Sequence, residues 1–145
     1  MTQILVVDDE AAIREVLIEF LSDHGYAVQG AEDGREALQM AGIVRPQVIL
    51  LDIAMPGMNG IETLKRLRKE APQAAVIMIS GHADHDQALQ ALDLGAYDFI
   101  QKPLDFRYLE RTLLAKIVTL DPDGDDRTSK EASDDRRRSA GPRTR

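Results

Sequence analysis

The chain contains no cysteine and no tryptophan among its 145 residues. Without thiols neither a disulfide framework nor a thiolate metal site is available. No apolar run approaches the roughly 20 residues that a helix needs to span a bilayer, and no secretory leader is expected before Ile4. No membrane association is therefore expected, and the chain is expected in the cytoplasm. Basic residues are outnumbered, 18 Lys and Arg against 25 Asp and Glu, for a net charge of −7. The imbalance sits in residues 1–120, with 18 acidic and 11 basic side chains, whereas 121–145 carry seven of each. An acidic body argues against direct contact with nucleic acid. No internal repeat is visible.

What is present is a fivefold alternation of apolar runs and amphipathic stretches. "ILVV" (Ile4 to Val7) reads as a strand. "EAAIREVLIEFLSDHG" puts Ile13, Val16, Leu17, Phe20 and Leu21 on one helical stripe ended by Gly25. "YAVQG" is a short second strand, and "DGREALQMA" a helix opened by Asp33. "VILLD" is a third strand, buried on both faces. "NGIETLKRLRKEAP" is a helix with Ile61, Leu64 and Leu67 inward and a basic outer face. "AAVIMIS" (Ala74 to Ser80) is a fourth strand, "ADHDQALQALDLG" a helix closed by Gly95, and "YDFIQKP" a fifth strand. A last helix carries Leu109, Leu113, Ile117 and Leu120 among its apolar positions. Alternating strands and helices with near-continuous apolar strands specify an α/β fold, a parallel sheet covered by helices on both faces. From Asp121 the texture changes to Asp, Arg, Ser, Gly and Pro with no large apolar residue. Residues 1–120 are therefore expected to form the domain, and 121–145 a disordered charged tail.

In an open parallel sheet, ligands bind beyond the carboxyl ends of the strands. The first strand delivers Asp8, Asp9 and Glu10 there, the third Asp52, the fourth Ser80 and Gly81, and the fifth Lys102 and Pro103. Three aspartates in one pocket repel, each pair by about 4 kcal/mol at 4 Å and an effective dielectric near 20. Either one carboxylate keeps a proton or a cation occupies the site. Oxygen ligands without Cys or His suit a hard ion such as Mg²⁺. A lysine and a hydroxyl across the same pocket suit an anion of phosphate type.

"ILVVDDE", "VILLDIAMPGMNG", "VIMISGHAD" and "GAYDFIQKP" together resemble the successive signatures of response-regulator receiver domains of two-component signalling, over about residues 3–120. The last of them resembles receivers of enhancer-binding transcriptional activators. The resemblance implies a doubly wound, flavodoxin-like sheet of order 2-1-3-4-5. It implies that Asp52 accepts a phosphoryl group from a phosphohistidine of a sensor histidine kinase or phosphotransfer protein. Mg²⁺ would be held by Asp9 and Asp52, by Asp8 mainly through water, and by the backbone carbonyl of Ala54. The Ser80 hydroxyl, the Lys102 ammonium and the backbone N–H groups of Ala54 and Gly81 would hold the phosphoryl oxygens. A cis Lys102–Pro103 peptide is implied as well. Ser80 and Phe99 would be the switch positions, and the fourth helix, fifth strand and fifth helix the face offered to a downstream protein, with a phosphorylation-dependent homodimer among the implied assemblies. Ala54 cannot orient an attacking water, so slow self-dephosphorylation is expected. His82 also falls at a position that flanks that water.

Other readings compete. Asp8 and Asp9 suit the cap of the first helix, Ser80 a turn and Phe99 a plain core position. His82 and His85 fit a solvated helix start better than a metal site, and the "RRR" at 136–138 is offset by its own aspartates. The receiver portion of a transcriptional activator is the close alternative, although residues 121–145 do not read as a helix-turn-helix. A Mg²⁺-dependent aspartyl-phosphate phosphatase would want an acid where Ala54 stands. A flavodoxin-like cofactor binder would want a phosphate loop where "DDEAA" stands. The chain is therefore expected to switch a protein-binding surface rather than to act as an enzyme on another substrate.

Overall fold

The computed structural model describes the backbone of residues 2–120, with side chains through Ala115 except that of His82. Five parallel strands, β1 (Gln3–Val7), β2 (Ala27–Ala31), β3 (Val48–Asp52), β4 (Ala75–Ser80) and β5 (Asp98–Gln101), lie in the order β2-β1-β3-β4-β5. That is the expected order. β3 and β4 are buried at every position, which is why their sequences read as unbroken apolar runs. The edge strands β2 and β5 expose Gln29 and Gln101, so their runs are shorter and weaker.

The helices α1 (Ala11–Asp23), α2 (Gly34–Val44), α3 (Gly60–Glu70), α4 (His85–Asp93) and α5 (Phe106–Leu120) alternate with the strands. A single 3₁₀ turn, His82–Asp84, precedes α4, so that helix starts later than its sequence pattern suggests. Strand alternation sends Leu5, Val7, Ile49, Leu51, Val76 and Met78 to the face packed by Leu64 and Leu67 of α3 and Ala88 and Ala91 of α4. The intervening residues Ile4, Val6, Leu50 and Ile77 are equally buried, as are Leu17 and Leu21 of α1. Phe20 of α1 meets Phe106 at the start of α5, with ring centroids 4.6 Å apart. One compact unit extends through Glu110. Leu109 and Leu113 are buried as expected, whereas the side chains of Ile117 and Leu120, and the expected tail at 121–145, lie outside the described residues.

One inward assignment in α1 is corrected. Val16 is 49% exposed. The buried stripe is centred on Leu17 and Leu21 and takes in Arg14 and Ile18, a rotation that carries Val16 off its edge. Strand β2 also starts one residue later than "YAVQG" suggests.

Capping is local chemistry. The Asp33 side chain accepts from the Glu36 N–H at 2.8 Å to open α2, and Asn59 with Glu62 forms a capping box that opens α3. Directly after that cap, Gly60 donates its N–H to the Ile53 carbonyl at 2.9 Å. A Cβ at Gly60 would lie 2.5 Å from the Asp52 carbonyl oxygen and 2.6 Å from the Ile53 Cα, both backbone atoms that no side-chain rotation can clear. Gly60→Ala is therefore expected to cost about 1–3 kcal/mol. A lower urea midpoint at unchanged slope checks this, and an unchanged midpoint contradicts it.

Candidate functional site

The register of the sheet brings four strand ends to one edge. Val7 stands opposite Leu51, Asp52 opposite Ile79 and Ser80 opposite Gln101, so Asp8, Asp52, Ser80 and Lys102 emerge together. Backbone bonds fix each: Asp8 donates to the Ala31 carbonyl at 3.1 Å, Ile53 to that of Ile79 at 3.0 Å, and Lys102 to that of Ser80 at 2.8 Å. The Lys102–Pro103 peptide is cis, as the resemblance implies. Asp8, Asp52 and Ser80 are almost wholly buried, whereas Asp9, Glu10 and Ala54 are exposed at the mouth.

Lys102 is the cation of this pocket. Its Nζ lies 3.6 Å from Asp52 Oδ1 and 3.7 Å from Glu10 Oε1. Asp52 Oδ1 also accepts a long bond, 3.4 Å, from the Ala54 N–H. These contacts do not hold Asp52 in the ordinary carboxylate range. Burial, then the neighbouring Asp8 carboxylate, push its pKa up to about 7 against the pull of Lys102 and the Ala54 N–H. Asp8 is raised too, chiefly by burial, although the Glu10 N–H donates to its Oδ1 at 2.9 Å.

Among the described residues, two buried polar atoms have no hydrogen-bond partner: Asp8 Oδ2 and Ser80 Oγ. Such atoms are costly in a folded protein and mark places where something else binds. Asp8, Asp9 and Asp52 each offer one carboxylate oxygen, all within 4.8 Å of one another. The all-oxygen donor set, the unpartnered Asp8 oxygen and the raised carboxylates fit a hard divalent ion. Among the described residues no other group of three potential ligands forms, and His85 instead sets its ring edge-on to Phe99, with centroids 6.0 Å apart.

The remaining sequence candidates fare differently. Phe99 is half-buried and packs against the main core. The Gly81 N–H, expected to face a phosphoryl oxygen, donates here to Asp84 Oδ2 at 3.1 Å. Its partner is an anion from its own chain, which a phosphoryl oxygen would have to displace. His82 lies outside the described side chains.

Sequence reasoning missed Arg14, whose Nη1 donates to the Asp8 carbonyl at 2.7 Å and so ties α1 to the loop that carries Asp8 and Asp9. The available signal was a cation three residues before Leu17, on the inward face of α1. It also gave Glu10 no role.

The sequence pattern of the response regulator receiver domain family matches residues 4–114. Response regulator MprA of Mycolicibacterium vanbaalenii is 36% identical over 121 residues, covering 83% of this chain and 52% of the relative. Regulatory protein AtoC of Escherichia coli is 37% identical over 105 residues, covering 72% of this chain and 23% of the relative. The chain thus spans about half, or less, of the length of these curated relatives. Among solved structures, the receiver domain of NtrX from Brucella abortus superposes with a TM-score of 0.72 at 38% identity, over 81% of this chain and 98% of that one. With the sheet order, the carboxylate pocket and these likenesses in agreement, the chain belongs to the response regulator receiver domain family.

Proposed function

We propose that Asp52 is the phosphoryl acceptor of this receiver. The observation that carries the reading is a buried carboxylate at the end of β3, with Lys102 Nζ 3.6 Å away and the unpartnered oxygens of Asp8 and Ser80 in the same pocket. A carboxylate oxygen of Asp52 forms the new bond to phosphorus. The phosphorus–nitrogen bond of the donor phosphohistidine breaks, and its electron pair returns to the imidazole of a sensor kinase or phosphotransfer protein. Asp8, Asp9, Asp52 and the Ala54 carbonyl would hold Mg²⁺, which supplies neutralisation of carboxylate and phosphoryl charge. Lys102 approaches the transferred group from the opposite side, and the free Ser80 hydroxyl donates to it. Positioning and electrostatics then carry the reaction, as phosphoryl transfer requires.

The protein acts as a switch in this reading, not as an enzyme on other substrates. A phosphatase acting on another molecule would need an acid at position 54, where the side chain is a methyl group. Leu89 and Leu92 of α4, Tyr97 before β5 and Tyr108 of α5 are large apolar or aromatic residues left exposed. They support the α4-β5-α5 side as the face offered to a downstream protein or a second copy once Ser80 and Phe99 rearrange. Among the described residues no helix is long and apolar enough to cross a membrane.

Intact-mass spectrometry after incubation with Mg²⁺ and acetyl phosphate tests the proposal. One phosphoryl group should be added to the wild type, and none to Asp52→Asn or in the absence of Mg²⁺. No addition, under conditions where another receiver reacts, would overturn it.

Glu10 gives a smaller prediction at the same site. Its carboxylate shares Lys102 with Asp52 and stands at the mouth, 60% exposed, where a dianionic donor must enter. An exposed pair of this kind is worth about 0.2–1 kcal/mol. Glu10→Gln should therefore speed phosphorylation by acetyl phosphate up to about fivefold. The time course of the mass shift measures this, and a slower reaction would show that Glu10 holds Lys102 in its working position.

A further inference from the structure

Positive charge in this acidic chain is concentrated away from the phosphoryl-acceptor pocket. Lys65, Arg66, Arg68 and Lys69 follow one another along α3, and Arg35 stands on α2. Arg68 is committed, since its Nη1 donates to the Ala74 carbonyl at 2.8 Å. Arg66 meets Glu70 one turn on at 3.4 Å, with both side chains about half exposed. A pair that exposed contributes little, so its guanidinium can change partners. Arg35, Lys65 and Lys69 have no ion-pair partner among the described residues.

Between α2 and α3 runs a groove of about 360 Å³ lined by Arg35, Leu38, Gln39, Met58, Arg66 and Glu70. Leu38 is half-buried and packs on the main core, and Met58 comes from the connection between β3 and α3. The groove therefore has an apolar floor between two guanidinium groups, one from each helix, with a single carboxylate that is already engaged. Its volume lies at the small end of ligand pockets. It accommodates one large apolar side chain and its flanking backbone rather than the whole face of a helix.

We infer that this groove docks a partner protein through an acidic segment: one apolar side chain set on Leu38 and Met58, with flanking carboxylates on Arg35 and Arg66. Charge complementarity selects this occupant. Residues 1–120 carry a net −7, so an acidic segment is repelled by most of the surface and attracted here. The apolar floor favours a peptide over a sugar-phosphate backbone, and the groove has no aromatic side chain on which a base could stack.

The test uses the full, unphosphorylated chain, so its failure is separate from that of the Asp52 assignment. The probe is a fluorescein-labelled nonapeptide with two leucines among glutamates. Saturable anisotropy is expected, weakened at least about tenfold by Arg35→Glu with Arg66→Glu and lost when the leucines are replaced by serine. Arg35→Ala with Arg66→Ala gives a milder pair if the reversal fails to fold, and the thermal unfolding curve reports that. Amide shifts on titration should centre on Leu38 and Met58. Equal affinity for the alanine pair, shifts centred on α4 and β5, or tighter binding of a single-stranded oligonucleotide or of a lysine-for-glutamate peptide would each overturn the inference. Self-association abolished by the same pair would assign the groove to a second copy and likewise overturn it.

Discussion

Metal-free Asp52→Asn is expected to be more stable than the wild type at pH 8, by up to about 4 kcal/mol, and to lose that advantage near pH 4. The carboxyl titrates at 3.8 when free of the fold and at about 7 within it. Between those values the native state binds a proton that the unfolded state has released. Stability then falls as pH rises, because the unfolded chain binds fewer protons than the native one. The stability contributed by the protonated group is complete below about pH 4 and lost once pH has passed about 7. Three pKa units at about 1.4 kcal/mol each give the quoted ceiling, and Asp8 shares the proton uptake because it titrates in the same pocket. Burial is the largest cause of the shift, and Asp52 is only 2% exposed, so little solvent screening reduces it. Asparagine removes the titration and most of the repulsion from Asp8. Mg²⁺ at pH 8 should narrow the gap, since it binds the folded wild type through the charge that the variant lacks. Urea midpoints across pH 4–8 measure all of this. A wild type equally stable at both ends, or a variant that gains nothing at pH 8, would contradict it.

The sheet was legible because burial on both faces leaves a plain record: Val48 to Leu51 and Val76 to Ile79 are apolar without interruption. The carboxylate pocket was legible for a related reason. A charged residue at the end of such a run, as Asp52 is, has no role in the core, and topology sends Asp8, Ser80 and Lys102 to the same edge. Contacts made by side chains that cross between elements were not legible. Arg14 reads as an ordinary helix residue until α1 is rotated onto the sheet, a turn of the helix that also exposes Val16. Asp84 is one of several acidic residues at a helix start, and only the bend after β4 sets its carboxylate on the Gly81 N–H. The groove depends on Leu38 and Arg35 of α2 facing Arg66 of α3, a pairing that neither helix's own periodicity specifies. Periodicity records which way a helix faces the core, not what stands beside it.

Lys102→Ala should reduce the rate of Asp52 phosphorylation by acetyl phosphate about 100- to 1,000-fold, the cost of removing one fixed electrostatic contact from developing charge in a closed site. Lys102 is the one lysine or arginine within 4.0 Å of a site carboxylate among the described residues. Its loss removes the larger of the two influences, beside the Ala54 N–H, that lower Asp52 against burial and Asp8, so less of Asp52 is ionised at neutral pH. It also removes the charge that meets the incoming phosphoryl group, so both reactants lose the same partner. The backbone at this position is held by the bond to the Ser80 carbonyl and does not need the side chain, so the variant should fold. Lys102→Arg separates charge from shape. It restores the positive charge but replaces a compact ammonium with a planar fork, and should recover only part of the rate. Full recovery by arginine would mean that charge alone suffices. An alanine variant within about threefold of the wild type would leave Asp52 activation to the acidic side of the pocket, and Lys102 with a structural tie to Glu10 and Asp52.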